Sequence, residues 1–552
     1  MGRPWPLLGL ACAGLILELC WLVLTPLSFR MTHGAEYTQT LLLEYPLLAG
    51  WLDALLPLAM RLAPAVQQQS TYVDPQLNTL VALFALTSGA YLLAVHLLDR
   101  FALTSRLAVG LVFGFTLAFQ LSLLLMPGFL TTDAFSYVMY GRISFIYRLN
   151  PYLAPPGAFP GDPLLGWIHP AWLMQPSVYG PLWTDLGWLM AKLGASLDLV
   201  DQVFSYKLLI NLAQLANLGL VWWLLGRLLP AHRLPAFALY AWNPLVLFEF
   251  AGNAHNDALM LTLLLLGLVP LALGARSRWA AAALLVWLSA LVKFTPGVVA
   301  LFCVVAWLRR LPARRRVGSL VGLAMLGLLL TLAVSWRWLL GPGALRPLLE
   351  AASGSFYGNS LVDLLGRLLG GADLEQGRFW AKLLTRSAFL VYLGWEVRQV
   401  WRAAADGSQA AIEAVLEASV RALLGVLLLV LTWVLTWYFT WPLTLAVFLG
   451  WRSSLARVAV ACSLTCLPFI YLKHYWGDAM PDALALLYLA PLVWALVPLA
   501  RSGHPVAVHE QRGEQRLERG KQAEQHPFQD RVAEPARRQQ PDRYDGQPVA
   551  QD

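Results

Sequence analysis

Long apolar runs recur along this chain from Leu7 to about Ala500, each close to the roughly 20 residues a helix needs to cross about 30 Å of hydrocarbon. Only helices satisfy their own backbone groups in that medium without neighbours. The expected fold class is therefore all-α, a polytopic membrane protein with about 12 to 14 transmembrane helices. Composition closes the alternative: 58% of the 552 residues are apolar and 13% charged, and the mean hydropathy is +0.58. The bulk of such a chain is not a soluble domain.

A net charge of +8 suggests nucleic acid only until the basic residues are located. They sit in short turns between apolar runs: "DRFALTSR", "RLLPAHR", "ARSR", "RRLPARRR" and "RSSLAR". This is the positive-inside pattern, which assigns those turns to the cytoplasm and leaves nucleic acid without a role. The N-terminal run reads as an uncleaved signal anchor, with the next spans near 79–98 and 107–127. The third span then delivers Gly128 to Asp133 to the outer face, opening an outer loop over about 128–203. "AGNAHNDA" falls outside as well. The stretch from Trp279 to Leu308 is too long for one span and is broken by "KFTPG", which predicts two short helices meeting near Lys293 and Pro296. The five cysteines lie in apolar runs and read as small buried hydrophobes. Residues 1–500 form the membrane domain; the polar tail 501–552 has no apolar periodicity and is expected to be a disordered cytoplasmic segment.

The chemistry-bearing residues gather on the outer side. There is no Walker A loop, no H-E-x-x-H and no G-x-S-x-G, so nucleotide hydrolysis and soluble-type cofactor chemistry are not expected. The segment "GFLTTDAFSYVMYGRISFIYRLNPY" places one carboxylate, Asp133, at the start of a short helix. An amphipathic interfacial helix is expected, with Tyr137, Tyr140 and Arg142 near water. Asp133 is open to two roles: helix N-cap, or a base whose pKa is elevated near a low-dielectric edge and which accepts a proton from a sugar hydroxyl. Glu18 and Glu249 read as packing or local polar contacts.

"TTDAFSYVMYGRISFIYRLNPY", "YGPLW", "WNPLVLFEFAGNAHNDALMLTLLLLGL", "ALVKFTPG" and "YFTWPL" together resemble the polyprenol-phosphate-mannose-dependent α-1,6-mannosyltransferases. These are integral membrane glycosyltransferases of the GT-C fold. The resemblance runs in order from about residue 107 to 490. It implies a polyprenyl-phosphate-linked sugar donor, a glycan or glycolipid acceptor, reaction on the outer face of the cytoplasmic membrane, and a general-base Asp that corresponds to Asp133. An inverting transfer would then need donors for the leaving phosphate. Lys293 is the first candidate, with Arg142 and the pair Lys473 and His474 further ones; each is equally readable as snorkelling or headgroup-facing. Lys473 and His474 are also placed, with Tyr137 and Tyr179, as acceptor or sugar contacts. His255, Asn256 and Asp257 are expected to bind sugar or phosphate, with Asp257 as reserve base. No cofactor is required on this reading. A divalent metal held by His255, Asp257 and Asp133 is the lesser option. The rival function is a transporter or flippase for a lipid-linked glycan, which would place its ionisable groups near the bilayer midplane.

Overall fold

The computed structural model describes residues 4–31, 35–62, 74–274, 278–339, 341–354, 356–469 and 491. Lys473, His474 and the tail from 501 lie outside the described residues. The described chain is helical, with one isolated parallel bridge between Gly358 and Trp433.

Helix α1 (Trp5–Met31) is followed by a bent pair, α2 (Ala35–Glu44) and α3 (Pro46–Leu62), then by α4 (Asp74–Arg100) and α5 (Arg106–Leu124). The 110° bend between α2 and α3 falls where Pro46 opens a new helix, because a proline is best tolerated at the first helical position. Ser105 starts α5 by accepting a hydrogen bond from the Ala108 N–H at 3.2 Å, a side-chain cap. Helix α1 packs on α3, α4 and α5.

Helix α6 (Asp133–Phe145) comes next. A loop with three short 3₁₀ turns, each opened by a proline, leads from it to α7 (Pro181–Leu193) and α8 (Leu199–Leu228). The interfacial reading of α6 is corrected here. Nearly every residue from Ala134 to Ser144 is buried, Tyr137 and Tyr140 included. The reason is coverage: α7 and α8 pack on one side so closely that a Cβ at Gly141 would lie 2.6 Å from the Gly187 carbonyl oxygen, and the 146–180 loop closes another. A helix covered all round carries no water-facing stripe, and its own sequence does not reveal what covers it.

Helix α9 (Arg233–Ala241) leads into α10 (Pro244–Val246), where Asn243 Oδ1 accepts from the Leu245 and Val246 N–H groups at 3.0 and 3.3 Å. A π-helical turn, Leu247–Gly252, follows without a break. Then come α11 (Asp257–Ala272), α12 (Arg278–Ala290), α13 (Gly297–Arg310) and α14 (Ala313–Leu339). The junction of α12 and α13 at Lys293 is the break expected from "KFTPG". The chain continues through α15 (Arg346–Ser353), α16 (Leu361–Gly370), α17 (Leu374–Asp406), α18 (Ser408–Gly425), α19 (Thr440–Ala446) and α20 (Ser454–Cys466). Arg421 of α18 and Glu396 of α17 tie those two helices together through a two-point ion pair.

The fold is an all-α polytopic membrane protein. Five described helices are long and apolar enough to cross a bilayer, and up to seven if each bent pair is one span. Three shorter apolar helices, including α11, add to these. Apolar runs that are divided, as at α12 and α13, do not count as single spans by length, and the apolar run near 482–500 lies almost wholly outside the described residues. Helix α14 makes the membrane argument physically: its apolar window is not buried at all within the protein, and a helix apolar on its outer faces needs lipid around it.

Candidate active site

Five separate stretches bring side chains to one place: the start of α6, the loop end at Tyr179, the turn between the π-helical segment and α11, the break between α12 and α13, and the chain from Val430 into the start of α19. Asp133 is the first residue of α6. The N-cap position is held by Thr132, and the Asp133 carboxylate takes its hydrogen bonds from side chains rather than from the backbone N–H groups of the helix. Its Oδ2 accepts from the hydroxyls of Tyr137 and Tyr179, both at 3.4 Å, and lies 3.6 Å from His255 Nδ1. Oδ1 takes no hydrogen bond from the described residues. With 19% of its side chain exposed, Asp133 lines the cleft below.

Behind Asp133 stands a buried chain of charge. His255 Nε2 is 3.1 Å from Glu249 Oε2, and neither ring nitrogen completes a hydrogen bond among the described residues; with the ring protonated, these contacts are ion pairs. The ring is stacked on Trp437, with centroids 3.8 Å apart. Glu249 is fixed in turn by Thr436 Oγ1 on Oε1 and Asn253 Nδ2 on Oε2, both at 2.9 Å. Asn253 Oδ1 accepts from the Leu130 N–H at 3.0 Å, which ties the π-helical turn to the approach of α6. Two carboxylates flanking one imidazole have a clear electrostatic result. Burial disfavours the charged His255, but contacts with Asp133 and Glu249 outweigh it and raise the pKa to about 9. Burial likewise pushes Asp133 up, yet His255, then Lys293 and Tyr179, bring it below the usual carboxylate range. The elevated pKa expected from position alone is thus corrected: the neighbouring cations win over desolvation.

A second pair sits beside the first. Lys293 Nζ donates to both oxygens of Asp257, at 3.0 and 2.9 Å, and lies over the rings of Tyr438 and Trp441. Trp441 Nε1 donates to Asp257 Oδ1 at 2.6 Å. Asp257 is fully buried and held by three hydrogen bonds from Lys293 and Trp441, so it is not presented to a substrate as a reserve base would be. The set His255, Asp257 and Asp133 is not assembled as a metal site, since Asp257 turns to Lys293. Among the described residues, no group of three or more His, Cys, Asp or Glu side chains is arranged for a metal ion.

A cleft with about 1080 Å³ of empty space, its open mouth included, begins at Asp133, Tyr179 and Lys293. Not every expected residue reaches it. Arg142 is turned away, with Nε on Asp162 at 2.9 Å and Nη1 on Gln202 at 3.0 Å. Asn256 is fully buried, and its backbone N–H donates to Tyr137 at 3.4 Å while its amide has no partner among the described residues. Tyr137 is buried behind Asp133 and supports it. Sequence reasoning missed Glu249 as part of this constellation, and it did not single out Arg386, Trp172 or Thr432, which also line the cleft. A usable signal existed for Glu249 alone: a lone acid six residues before a lone histidine in an apolar stretch.

The loop that carries Tyr179 is fixed by its neighbour. Gly180 N–H donates to the Val292 carbonyl at 2.9 Å, and a Cβ there would sit 2.1 Å from the Leu291 carbonyl oxygen. Gly180→Ala is therefore expected to destabilise the protein by about 1–3 kcal/mol and to displace Tyr179 from Asp133. Thermal unfolding of the detergent-solubilised variant measures it; an unchanged Tm would contradict the contact.

Residues 37–309 match the family described as alpha-(1→6)-mannopyranosyltransferase, N-terminal domain. That stretch contains Asp133, Glu249, His255, Asp257 and Lys293. The chain is 31% identical over 252 residues to alpha-(1→6)-mannopyranosyltransferase A of Mycobacterium tuberculosis, covering 45% of this chain and 47% of the relative. It is 27% identical over 199 residues to the protein of the same name in Corynebacterium glutamicum, covering 36% and 39%. A probable alpha-(1→6)-mannopyranosyltransferase of Mycolicibacterium smegmatis is 29% identical over 195 residues, 34% of each chain. The chain spans about half the length, or less, of the curated relatives it matches.

Proposed function

We propose that this chain, whose residues 37–309 match the alpha-(1→6)-mannopyranosyltransferase N-terminal-domain family, acts as a member of that family and transfers mannose from a polyprenyl-phosphate donor to a glycan or glycolipid acceptor, with inversion at the anomeric carbon. The observation that carries this reading is Asp133 itself: one carboxylate oxygen is fixed by two tyrosines and an imidazolium, while the other is left for a substrate hydroxyl at the edge of a cleft. In the reaction the acceptor oxygen forms a bond to the anomeric carbon as the bond from that carbon to the donor phosphate breaks. The phosphate leaves with the electron pair, and the hydroxyl proton passes to Asp133. A carboxylate held ionised is a weak base, so the proton moves late, once the hydroxyl oxygen has gained positive character. Holding nucleophile and donor together in a cleft supplies much of the remaining rate.

Outer-face action is supported by the placing of charge along α13. Lys293 and the cleft precede its first residue, Gly297, whereas Arg309 and Arg310 close its last turn, about 20 Å away at 1.5 Å per residue. Basic turns tend to face the cytoplasm, which favours the opposite side for the cleft. The GT-C fold and a location in the cytoplasmic membrane belong to the same reading. The test combines membranes containing the full chain with polyprenyl-phosphate [³H]mannose and a panel of mannosyl glycolipid acceptors. An α-linked product from a β-linked donor is expected. Absence of transfer to every acceptor, or a β-linked product, sinks the proposal. Labelling a cysteine at position 133 from the cytoplasmic side only would overturn the sidedness.

A further inference from the structure

Two groups of polar side chains line the cleft. One is Asp133, Tyr179 and Lys293; in the other, Arg386 of α17 stands beside Gly354 and Thr432. The cation nearest the base is already matched: Lys293 holds both oxygens of Asp257. Arg386 is not. Its Nη2 donates to the Ser353 carbonyl at 3.0 Å, its Nε is buried without a partner, and no carboxylate among the described residues pairs with it. A guanidinium with donors in a fixed fork is the side chain best suited to a phosphate. One left with a spare, buried N–H in a cleft marks a missing acceptor.

The surroundings are built around that group. Gly354, at φ +77°, closes α15, and a Cβ there would lie 3.0 Å from Arg386 Nη2 and 2.6 Å from Thr432 Oγ1. Thr432 Oγ1 donates to the Phe356 carbonyl at 2.6 Å. Trp172 stacks on Trp433 with centroids 5.2 Å apart, and both line the cleft, giving an aromatic surface on which a sugar ring can pack. The wall around Arg386 is otherwise apolar, formed by Ala351, Ala352, Val430 and Leu431.

Pairing decides between the cations. Lys293 is committed to Asp257 and is close enough to Asp133 to act on its charge, which leaves Arg386 as the cleft cation without a carboxylate partner among the described residues, available to a leaving phosphate. From this we infer that Arg386 is the phosphate-binding residue of the donor subsite, with the isoprenoid chain leaving the cleft past Ala351, Ala352, Val430 and Leu431. This rests on the transferase reading and replaces Lys293 as the principal phosphate contact. Lys293 and Asp257 then serve as a fixed neutral pair that shapes the cleft near Asp133. Arg386 also lies beyond the residues matched to the family's N-terminal domain.

The experiment compares full-length wild type, Arg386→Gln, Arg386→Lys and Lys293→Gln in detergent, each first shown to be monodisperse. The first readout is binding of a long-chain polyprenyl monophosphate without acceptor, by thermal shift. The second is inhibition of mannosyl transfer by the same lipid. Arg386→Gln is expected to weaken binding and raise the inhibition constant about 10- to 100-fold, the range for losing one charge-assisted contact to a buried anion. The acceptor KM should stay within about threefold. Arg386→Lys should recover part of the loss, because the charge returns but not the fork. Wild-type affinity in Arg386→Gln overturns the inference, as does a tenfold loss that appears in Lys293→Gln instead. An equal rise of donor and acceptor KM in Arg386→Gln also overturns it, showing a structural role. If Arg386→Gln does not fold, wild-type binding by Arg386→Lys overturns it and reduced binding supports it. Wild-type protein that binds the lipid phosphate but transfers no mannose would instead defeat the transferase reading and leave the subsite standing.

Discussion

Asp133→Asn is expected to lower turnover by about 10³-fold, near the middle of what a positioned general base contributes, while donor affinity changes by no more than about threefold. The amide keeps the shape of the carboxylate. It still faces Tyr137 and Tyr179 across the 3.4 Å contacts, so packing at the start of α6 is preserved. What it lacks is the lone pair that receives the acceptor proton and the charge that opposes His255 at 3.6 Å. An interaction made only in the transition state shows itself as a loss in kcat with KM unchanged. Radiolabelled transfer at saturating donor measures the loss, and thermal shift with a polyprenyl monophosphate checks that the cleft still binds. A variant with wild-type turnover would remove Asp133 from the chemistry. A variant that loses donor binding in step with turnover would make it a structural residue.

The parts of this site that were legible in the sequence are those where one residue type carries an unusual cost. A lone carboxylate beside an apolar run, a lysine between two half-helices and a His-Asn-Asp tip are each expensive near hydrocarbon, and all three stretches converge in the fold. Their pairings were not legible. Nothing in the spacing says that Lys293 chooses Asp257, 36 residues away, over a phosphate, or that Arg142 turns to Asp162 and leaves the cleft. Glu249 was hidden for a further reason. It reaches His255 through a π-helical turn and a residue, Ala254, at φ +58°, and such local departures from regular helix are set by tertiary packing rather than by propensity. Helical class was readable because apolar run length alone fixes it. Where the runs divide was less so, because prolines and glycines break them in ways that hydropathy averages over. The burial of α6 was lost in the same way, since exposure depends on what the rest of the chain lays over it.

Glu249→Gln is expected to leave transfer within about threefold of wild type at pH 6 and to reduce it about tenfold at pH 8.5, moving the alkaline limb of the profile toward neutrality. The argument starts from what faces His255. Asp133 approaches from α6, Glu249 from the π-helical turn and the uncharged Trp437 ring from the 3₁₀ turn; Lys293 acts on the pair through Asp133. Glutamine can keep the contacts to Thr436 and Asn253 through its amide, so the turn remains anchored. The lost charge leaves a buried imidazole with one counter-ion, and burial then pulls its pKa down from about 9. As the imidazolium disappears, Asp133 loses the partner that orients it and holds it ionised. Stability should follow the same sign. A pKa raised on folding contributes stability that is complete below the unfolded value of 6.5 and is lost as pH rises through about 9. Asp133, lowered on folding, contributes stability above its ordinary 3.8 that is lost as pH falls through the folded value. Wild-type Tm should therefore drop between pH 7 and 10, and Glu249→Gln should show less of that drop because less is there to lose. Parallel pH–rate profiles, lowered equally at every pH, would make Glu249 a packing residue, which is the role its apolar surroundings in the sequence first suggest.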